Sequence, residues 1–93
     1  MADVRIYTTP SCGYCTGVKQ LLASKGVKYA EVDVSGDYAK RRWLAEVSGQ
    51  RTVPQVFIDG QAYGGFTDLV KLDRQGQLDP LLRPQDSYRS SHQ

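Results

Sequence analysis

The feature that most constrains this chain is a pair of cysteines separated by two residues, Cys12 and Cys15. They are the only cysteines among its 93 residues. A short, largely apolar run from Val4 to Thr8 precedes them, and apolar residues at helical spacing, including Val18 and Leu22, follow them. The pair therefore lies where a strand leads into a helix, which is typical of a redox-active dithiol.

The start of a helix suits thiol chemistry. Its unpaired backbone N–H groups and the positive end of its dipole stabilise a thiolate on Cys12. The thiolate is the species that attacks a disulfide. Cys15, one turn further on, is placed to resolve the mixed disulfide that forms, so the pair is expected to cycle between a dithiol and a Cys12–Cys15 disulfide.

Other uses of the two cysteines fit the sequence less well. A structural zinc site needs about four ligands, and the chain offers two cysteines and one histidine, His92, near its end. A structural disulfide between residues three apart closes a very small loop and restricts the unfolded chain little. Redox chemistry and metal-cluster chemistry remain the two main interpretations.

Length and charge exclude several classes of protein. Ninety-three residues, 40% of them hydrophobic, are enough for one small domain. A net charge of +2 spread over interspersed acids and bases argues against nucleic-acid or membrane-surface binding. No apolar run approaches the ~18 residues of a membrane span, and the N-terminus leads into a strand rather than a signal peptide. We therefore expect a cytoplasmic protein, in which the cysteine pair cycles rather than cross-links the fold.

The order of the predicted elements indicates an α/β domain. The sequence predicts strands at Val4–Thr8, Val27–Val34, Gln55–Ile58 and Gln61–Tyr63, helices at Gly13–Lys25, Tyr38–Ser48 and Phe66–Gln75, and a last turn at Asp79–Leu82. Strands on either side of the first helix should be parallel, and Asp59-Gly60 is a hairpin turn signal. The expected fold is a four-stranded mixed sheet, βαβ then ββα, with helices on both faces.

Two further expectations concern packing and the end of the chain. In the second predicted helix, Ala39, Trp43 and Val47 fall at four-residue spacing and are predicted to form its buried face. Residues 1–82 are expected to form the domain. Residues 83–93 are polar and without periodicity, which predicts a disordered tail.

With these elements in order, the chain resembles a glutaredoxin, specifically a small bacterial-type dithiol glutaredoxin. The resemblance is carried, in order and spacing, by Cys12-Gly13-Tyr14-Cys15, Thr52-Val53-Pro54 and Gly64-Gly65-Phe66-Thr67-Asp68. It covers about Val4 to Leu82. It implies a thioredoxin-like fold and a glutathione-dependent thiol–disulfide oxidoreductase that reduces protein–glutathione mixed disulfides and protein disulfides.

The resemblance also implies roles for residues outside the cysteine pair. Pro54 would be in the cis form and leave the Val53 backbone exposed beside the active cysteine, where an extended peptide can pair with it. The helix start after Gly65 offers N–H groups to a carboxylate, and Asp68 can take an ammonium group. The glutathione-binding residues so implied are Tyr14, Arg41, Thr52, Val53, Pro54, Gly65, Thr67 and Asp68.

Two positions depart from the family pattern. Similar proteins often carry a lysine where this chain has Thr9, and Arg41 is the candidate replacement for binding the glycyl carboxylate of glutathione. Many relatives have proline where this chain has Gly13, and glycine there is associated with a [2Fe–2S] cluster bridging two subunits. Each Cys12 would then ligate iron, and glutathione would supply the other two thiols. The alternative function is a cluster-binding homodimer acting as a carrier or redox sensor.

A third possibility keeps the enzyme but takes electrons from thioredoxin reductase. Proteins of that kind usually carry Trp-Ser-Gly-Phe-Arg-Pro where this chain has residues 63–68, and Asp68 favours glutathione. The expected partners are glutathione and glutathionylated or disulfide-containing proteins, with no nucleic acid and no membrane. A monomer without a metal of its own is expected, with dimerisation only around a cluster.

Overall fold

The chain folds around a central β-sheet. The computed structural model describes residues 2–10 and 12–83. In chain order the elements are β1 (Val4–Thr8), α1 (Gly13–Ser24), β2 (Ala30–Asp33), α2 (Tyr38–Ser48), β3 (Gln55–Ile58), β4 (Gln61–Gly64), α3 (Phe66–Arg74) and α4 (Leu78–Leu82). This order confirms the predicted α/β class.

The sheet brings several element starts to one end of the molecule. Its strand order is β2-β1-β3-β4. β1 runs parallel to β2, with Thr8 opposite Asp33, and antiparallel to β3, with Tyr7 opposite Gln55. Because β3 begins where β1 and β2 end, the starts of α1, α2 and β3 lie at the same end of the sheet.

Alternate residues of β1 divide the core between the two faces of the sheet. Val4 and Ile6 belong to a cluster with residues of α1, α3 and α4, such as Val18 and Leu69. On the opposite face a smaller cluster with α2 comprises Tyr7, Val34, Leu44 and Phe57. The expectation of helices on both faces is thus confirmed.

The predicted buried face of α2 is wrong. Leu44 is the buried residue of this helix, 3% exposed, whereas Trp43 and Val47 remain 42% and 46% exposed and Ala39 is also exposed. Four-residue spacing drifts around a helix of about 3.6 residues per turn, so the stripe that meets the sheet is centred on Leu44. Trp43 lies at the rim of the interface, with its ring centroid 5.5 Å from that of Tyr7.

The second strand is shorter than the sequence predicts. The prediction starts it at Val27, but β2 begins at Ala30. Val27 instead donates its backbone N–H to the carbonyl of Leu22 at 3.2 Å and is buried in the same cluster as Leu22. Val27 therefore closes the end of α1 and does not pair with a neighbouring strand, although its apolar, β-branched side chain is typical of a strand.

The C-terminal helix is tied to the rest of the domain by polar contacts. The ammonium of Lys25 lies 2.6 Å from Asp73 and 3.1 Å from Asp79, and these hydrogen bonds, Asp73 first, raise the pKa of Lys25. Arg83 donates to the carbonyl of Lys25 at 2.7 Å. Apart from Arg83, the predicted tail lies outside the described residues.

Candidate active site

The two cysteines lie at the start of α1. Cys12 is the N-cap of this helix, and its Sγ accepts a 3.2 Å hydrogen bond from the backbone N–H of Cys15. The sulfur therefore satisfies one of the N–H groups that a helix start leaves unpaired. Both cysteines are free thiols; Cys12 is partly exposed, whereas Cys15 is only 2% exposed. Of the two sulfurs, that of Cys12 is the one open to a substrate.

The surroundings of Cys15 keep it protonated at neutral pH. Burial, followed by hydrogen bonding to Cys12 and by the charge of Cys12, raises the pKa of Cys15 from 9.0 to about 11. The backbone of Thr9 and the charge of Lys19 lower it. The charge of Cys12 is lost once that sulfur is bonded to a substrate, which removes one of the causes that raise the pKa of Cys15.

A loop from far along the sequence packs against the first cysteine. The thiol of Cys12 donates to the carbonyl of Val53 at 3.7 Å. Val53 is joined to Pro54 by a cis peptide bond. Pro54 is buried, Val53 is half-buried and Thr52 is exposed. The loop therefore presents Thr52 and the Val53 backbone beside the sulfur.

The start of α3 supplies the third part of the site. The backbone N–H of Gly65 donates to the carboxylate of Asp68 at 2.9 Å. Gly64 has φ +94°, in the region that favours glycine, and a Cβ there would lie 2.7 Å from Cγ of Asp68. A Cβ on Gly65 would lie 3.0 Å from the carbonyl oxygen of Pro54. The two glycines therefore let this helix start approach both the carboxylate and the proline loop.

These segments line a single groove of about 540 Å³, here called the main groove. Its lining residues are Tyr14, Gln50, Thr52, Val53, Pro54, Gly65, Phe66, Thr67 and Asp68. Cys12 adjoins it through the contact with Val53. The structure thus brings together all of the predicted glutathione-binding residues except Arg41.

Arg41 lies outside the main groove. It is half-buried on α2 and lines a separate depression with Tyr38, Arg42, Ala45, Glu46, Gly49 and Arg51. Arg51 directly precedes Thr52, so the depression adjoins the main groove without being part of it. The assignment of Arg41 to a glutathione carboxylate stays a prediction.

Aromatic side chains form one side of the main groove. Tyr14 is 66% exposed, and its ring centroid lies 6.1 Å from that of Phe66. The ring of Phe66 packs on Gly17, where a Cβ would come within 2.9 Å of it. A side chain at position 17 would therefore push Phe66 towards the space that a ligand needs.

Sequence reasoning missed two glutamines. Gln50 lines the main groove. Gln55 is fully buried, and its Nε2 donates to Oε1 of Gln50 at 2.9 Å and to the carbonyl of Thr52 at 3.0 Å. Within the described part of the chain its Oε1 has no partner. The available signal was a glutamine directly after a proline in an otherwise apolar strand, because a buried polar side chain needs partners.

The described residues contain no group of three or more histidine, cysteine, aspartate or glutamate side chains that could hold a metal. Since Cys15 is buried, one chain offers one accessible cysteine sulfur, Cys12, so a four-thiolate cluster needs a second copy and other thiols. A Cβ on Gly13 would meet nothing within 4 Å, so the space there does not itself require glycine. The cluster remains a prediction.

No helix in the described ranges is long and apolar enough to cross a membrane.

Known sequences match nearly the whole domain. The profile of the glutaredoxin family matches residues 4–63. Glutaredoxin 3 of Escherichia coli K12 is 52% identical over 83 residues, which cover 89% of this chain and 100% of that protein. A glutaredoxin of Neisseria meningitidis is 45% identical over 85 residues, which cover 90% of this chain and 100% of that protein.

Solved structures give the same result. The solution structure of a glutaredoxin from Brucella melitensis has a TM-score of 0.80 and 46% identity, covering 89% of this chain and 90% of that one. The crystal structure of a buckwheat glutaredoxin–glutathione complex has a TM-score of 0.82 and 33% identity, covering 87% of this chain and 76% of that one. The thioredoxin-like fold expected from the sequence is confirmed.

Proposed function

Since the chain belongs to the glutaredoxin family of thiol–disulfide oxidoreductases, we propose that it uses glutathione as its electron donor and acts through Cys12 and Cys15. The observation that carries this proposal is the main groove. It extends from Val53, beside the sulfur of Cys12, to the carboxylate of Asp68. Glutathione has the charges and the shape for which such a groove is suited.

Each part of glutathione has a counterpart in the main groove. The γ-glutamyl end presents a carboxylate and an ammonium side by side. The N–H groups at the start of α3, near Thr67, suit the carboxylate, and Asp68 suits the ammonium. The extended cysteinyl part can pair with the backbone of Val53, which directs its sulfur to Cys12. The buckwheat neighbour was crystallised as a complex with glutathione, which supports the same ligand here.

Removal of glutathione from a protein follows from this arrangement. The Cys12 thiolate attacks the glutathione sulfur of a mixed disulfide, so a Cys12–glutathione bond forms and the bond to the protein sulfur breaks. The protein leaves as a thiolate and takes up a proton. A second glutathione thiolate then attacks the bound glutathione, releases glutathione disulfide and regenerates Cys12. The Cys15 N–H stabilises the charge on Cys12 at the start and end of the cycle.

Reduction of a disulfide within a protein requires both cysteines. Cys12 attacks one substrate sulfur and forms a mixed disulfide with it, and the other substrate sulfur leaves as a thiolate. Cys15 then loses its proton, attacks Cys12 and releases the second substrate thiolate. The product is the Cys12–Cys15 disulfide, which two glutathione molecules reduce.

The test is turnover of a small glutathione mixed disulfide in the presence of glutathione and glutathione reductase. We expect rapid turnover by the wild-type protein. Asp68→Asn keeps an acceptor for the Gly65 N–H but loses the charge, so KM for the mixed disulfide should rise roughly tenfold, the order of one charged hydrogen bond. Asp73→Asn removes a charge from the same helix outside the groove and serves as the control.

Two outcomes would contradict glutathione dependence. One is negligible turnover by a folded wild-type protein, and the other is equal KM values for Asp68→Asn and Asp73→Asn.

We also propose that the enzyme works as a cytoplasmic monomer. One chain supplies both cysteines and all residues of the main groove, and a reducing compartment keeps the dithiol available.

A further inference from the structure

A depression rich in arginine lies beside the main groove. It is formed by α2 and the residues that follow it, has a volume of about 690 Å³, and is here called the α2 depression. Three guanidinium groups, those of Arg41, Arg42 and Arg51, line it together with a single carboxylate, that of Glu46. The proposed reaction with glutathione does not account for this accumulation of positive charge.

The three arginines are not neutralised within the domain. Over residues 2–10 and 12–83, none of them has a carboxylate within 4.0 Å, and neither does Lys40 next to them. Glu46 lies one helical turn after Arg42 but forms no ion pair with it. Several unpaired charges of one sign on a concave surface attract counter-ions and charged partners.

The α2 depression shares a wall with the main groove. Gly49 and Arg51 line the depression, whereas Gln50 and Thr52 line the main groove. The lining residues thus alternate along residues 49–52, so this short segment separates the two concavities. Arg51 lies two residues before Val53, whose carbonyl accepts from the Cys12 thiol, so a chain bound at Cys12 passes close to this side of the depression.

We propose that the α2 depression is a docking surface for an acidic segment of the protein substrate, close in sequence to the cysteine that is reduced. The inference rests on the proposed function, because the substrate cysteine has to reach Cys12. An extended peptide beside Val53 advances ~3.3 Å per residue. Substrate residues about two to six positions from the reacting cysteine therefore lie roughly 7–20 Å from it, the range in which we expect them to meet Arg51 and then Arg42.

Glutathione alone leaves most of this charge unused. Its glycyl carboxylate is one negative charge, and Arg41 is the side chain predicted to take it. Arg42 and Arg51 then have no counterpart in the tripeptide. Glutamate and aspartate side chains of a protein substrate supply further carboxylates, which speed the encounter at low salt and lose influence as salt screens them.

The first part of the test compares two peptides, each with one glutathionylated cysteine. In one, glutamates occupy the positions two to six residues from the cysteine on both sides, and in the other, glutamines replace them. We expect the wild-type protein to have a roughly three- to tenfold higher kcat/KM on the glutamate peptide at low ionic strength, the order of one or two exposed ion pairs. The ratio should approach one as salt is added.

Matched variants assign the preference to this surface. Arg42→Gln/Arg51→Gln should abolish it, whereas Arg74→Gln/Lys28→Gln, with the same change in net charge away from both concavities, should retain it. Arg42→Glu/Arg51→Glu should instead prefer a peptide with lysines at the same positions. Such an inversion cannot arise from damage to the fold.

The outcomes separate this inference from the proposed function. If the small mixed disulfide is not turned over, glutathione dependence is wrong, and the surface proposal, which rests on it, is overturned with it. If the small substrate is turned over but the wild-type protein shows no preference for glutamate, only the docking surface is wrong. If Arg42→Gln/Arg51→Gln and Arg74→Gln/Lys28→Gln lose the preference for the glutamate peptide equally, that preference comes from the overall charge of the protein. This result would also overturn the proposal.

Discussion

The backbone N–H of Cys15 donates a 3.2 Å hydrogen bond to Sγ of Cys12, so the sulfur of the first cysteine caps the helix that carries the second. The two thiols are therefore in different environments although they are three residues apart. Cys12 is partly exposed at the helix end, whereas Cys15 is buried in the first turn. This asymmetry supports the proposed roles, in which Cys12 attacks and Cys15 resolves the mixed disulfide.

Replacing each cysteine separately should divide the two proposed reactions. Cys12→Ser should abolish both deglutathionylation and protein-disulfide reduction, because the attacking sulfur is lost while the cap oxygen remains. Cys15→Ser should retain deglutathionylation and lose protein-disulfide reduction, because glutathione can replace the resolving thiol only in the first reaction. The measurement is the rate of each reaction with purified variants. Equal losses in both assays for Cys15→Ser would contradict the assigned roles.

The pKa of Cys15 should depend on the state of Cys12. Burial, and then hydrogen bonding to Cys12, raise it from 9.0 to about 11. In Cys12→Ser the charge of Cys12 is absent, so the pKa of Cys15 should fall below 11 while burial keeps it above 9.0. Titration followed by thiolate ultraviolet absorbance measures it. An unchanged value would show that burial alone is responsible.

The same shift predicts weaker stability in alkali. The folded state holds the Cys15 proton more tightly than the unfolded chain does, so this contribution is complete below pH 9.0 and is lost as pH rises towards 11. Cys15→Ser should show a smaller decrease in the free energy of unfolding over this range. Urea unfolding of both proteins at several pH values provides the comparison, and parallel curves would count against the prediction.

Gly64 should be required for the position of the Asp68 carboxylate. Gly64→Ala places a Cβ against that carboxylate, which should break its bond to Gly65 and lower kcat/KM for the glutathione mixed disulfide roughly tenfold. Gly60→Ala is the matched control, since Gly60 also has positive φ, +82°, but open space around its Cβ. Each substitution should cost about 1–2 kcal/mol of stability from the left-handed backbone. Similar activities for the two variants would exclude this role.

Gln55 should support the loop that presents Val53. In Gln55→Glu a carboxylate faces the carbonyl of Thr52 and Oε1 of Gln50, both of them acceptors, so stability should fall by about 1–3 kcal/mol. The loss should be smaller at low pH, because a protonated carboxyl group can donate. Gln55→Leu should be less harmful at neutral pH, since it also removes the unpartnered Oε1. Urea unfolding at two pH values tests both; the reverse order of stability at neutral pH would contradict this account.

Glu31 should contribute to stability only above acidic pH. The ammonium of Lys19 at 3.0 Å and the hydroxyl of Thr8 at 2.9 Å, in that order of effect, lower the pKa of Glu31 from 4.5. The contribution is therefore complete above pH 4.5 and is lost as pH falls through the lower folded value. Glu31→Gln should lose less stability on acidification than the wild-type protein, whereas Glu46→Gln, at a side chain without an ion pair across the described ranges, should behave like wild type. Indistinguishable acid curves for Glu31→Gln and wild type would contradict it.

Some element bounds could be predicted to the residue, and others could not. β1, α2 and β3 have the predicted bounds, because Gly49 stops α2 and Pro54 precedes β3, both through local backbone preferences. The predicted start of β2 was wrong because Val27 has the side chain of a strand residue, but its backbone N–H is hydrogen-bonded to the end of α1. Whether an apolar residue joins a sheet or a helix end depends on which surface covers it.

The sequence by itself determined that Cys12 and Cys15 lie together at the start of a helix. The spacing to Cys15 and the start of α1 are local, and a helix cap depends on residues within one turn. Only the tertiary structure decided that Val53 meets that sulfur, and that Arg41 faces a different concavity from Asp68. These relations depend on strand register and on helix rotation, in which a step of one residue, about 100°, moves a side chain from the core to solvent. Packing between residues far apart in the sequence sets the strand register and the helix rotation, and the residue pattern along the chain does not contain this information.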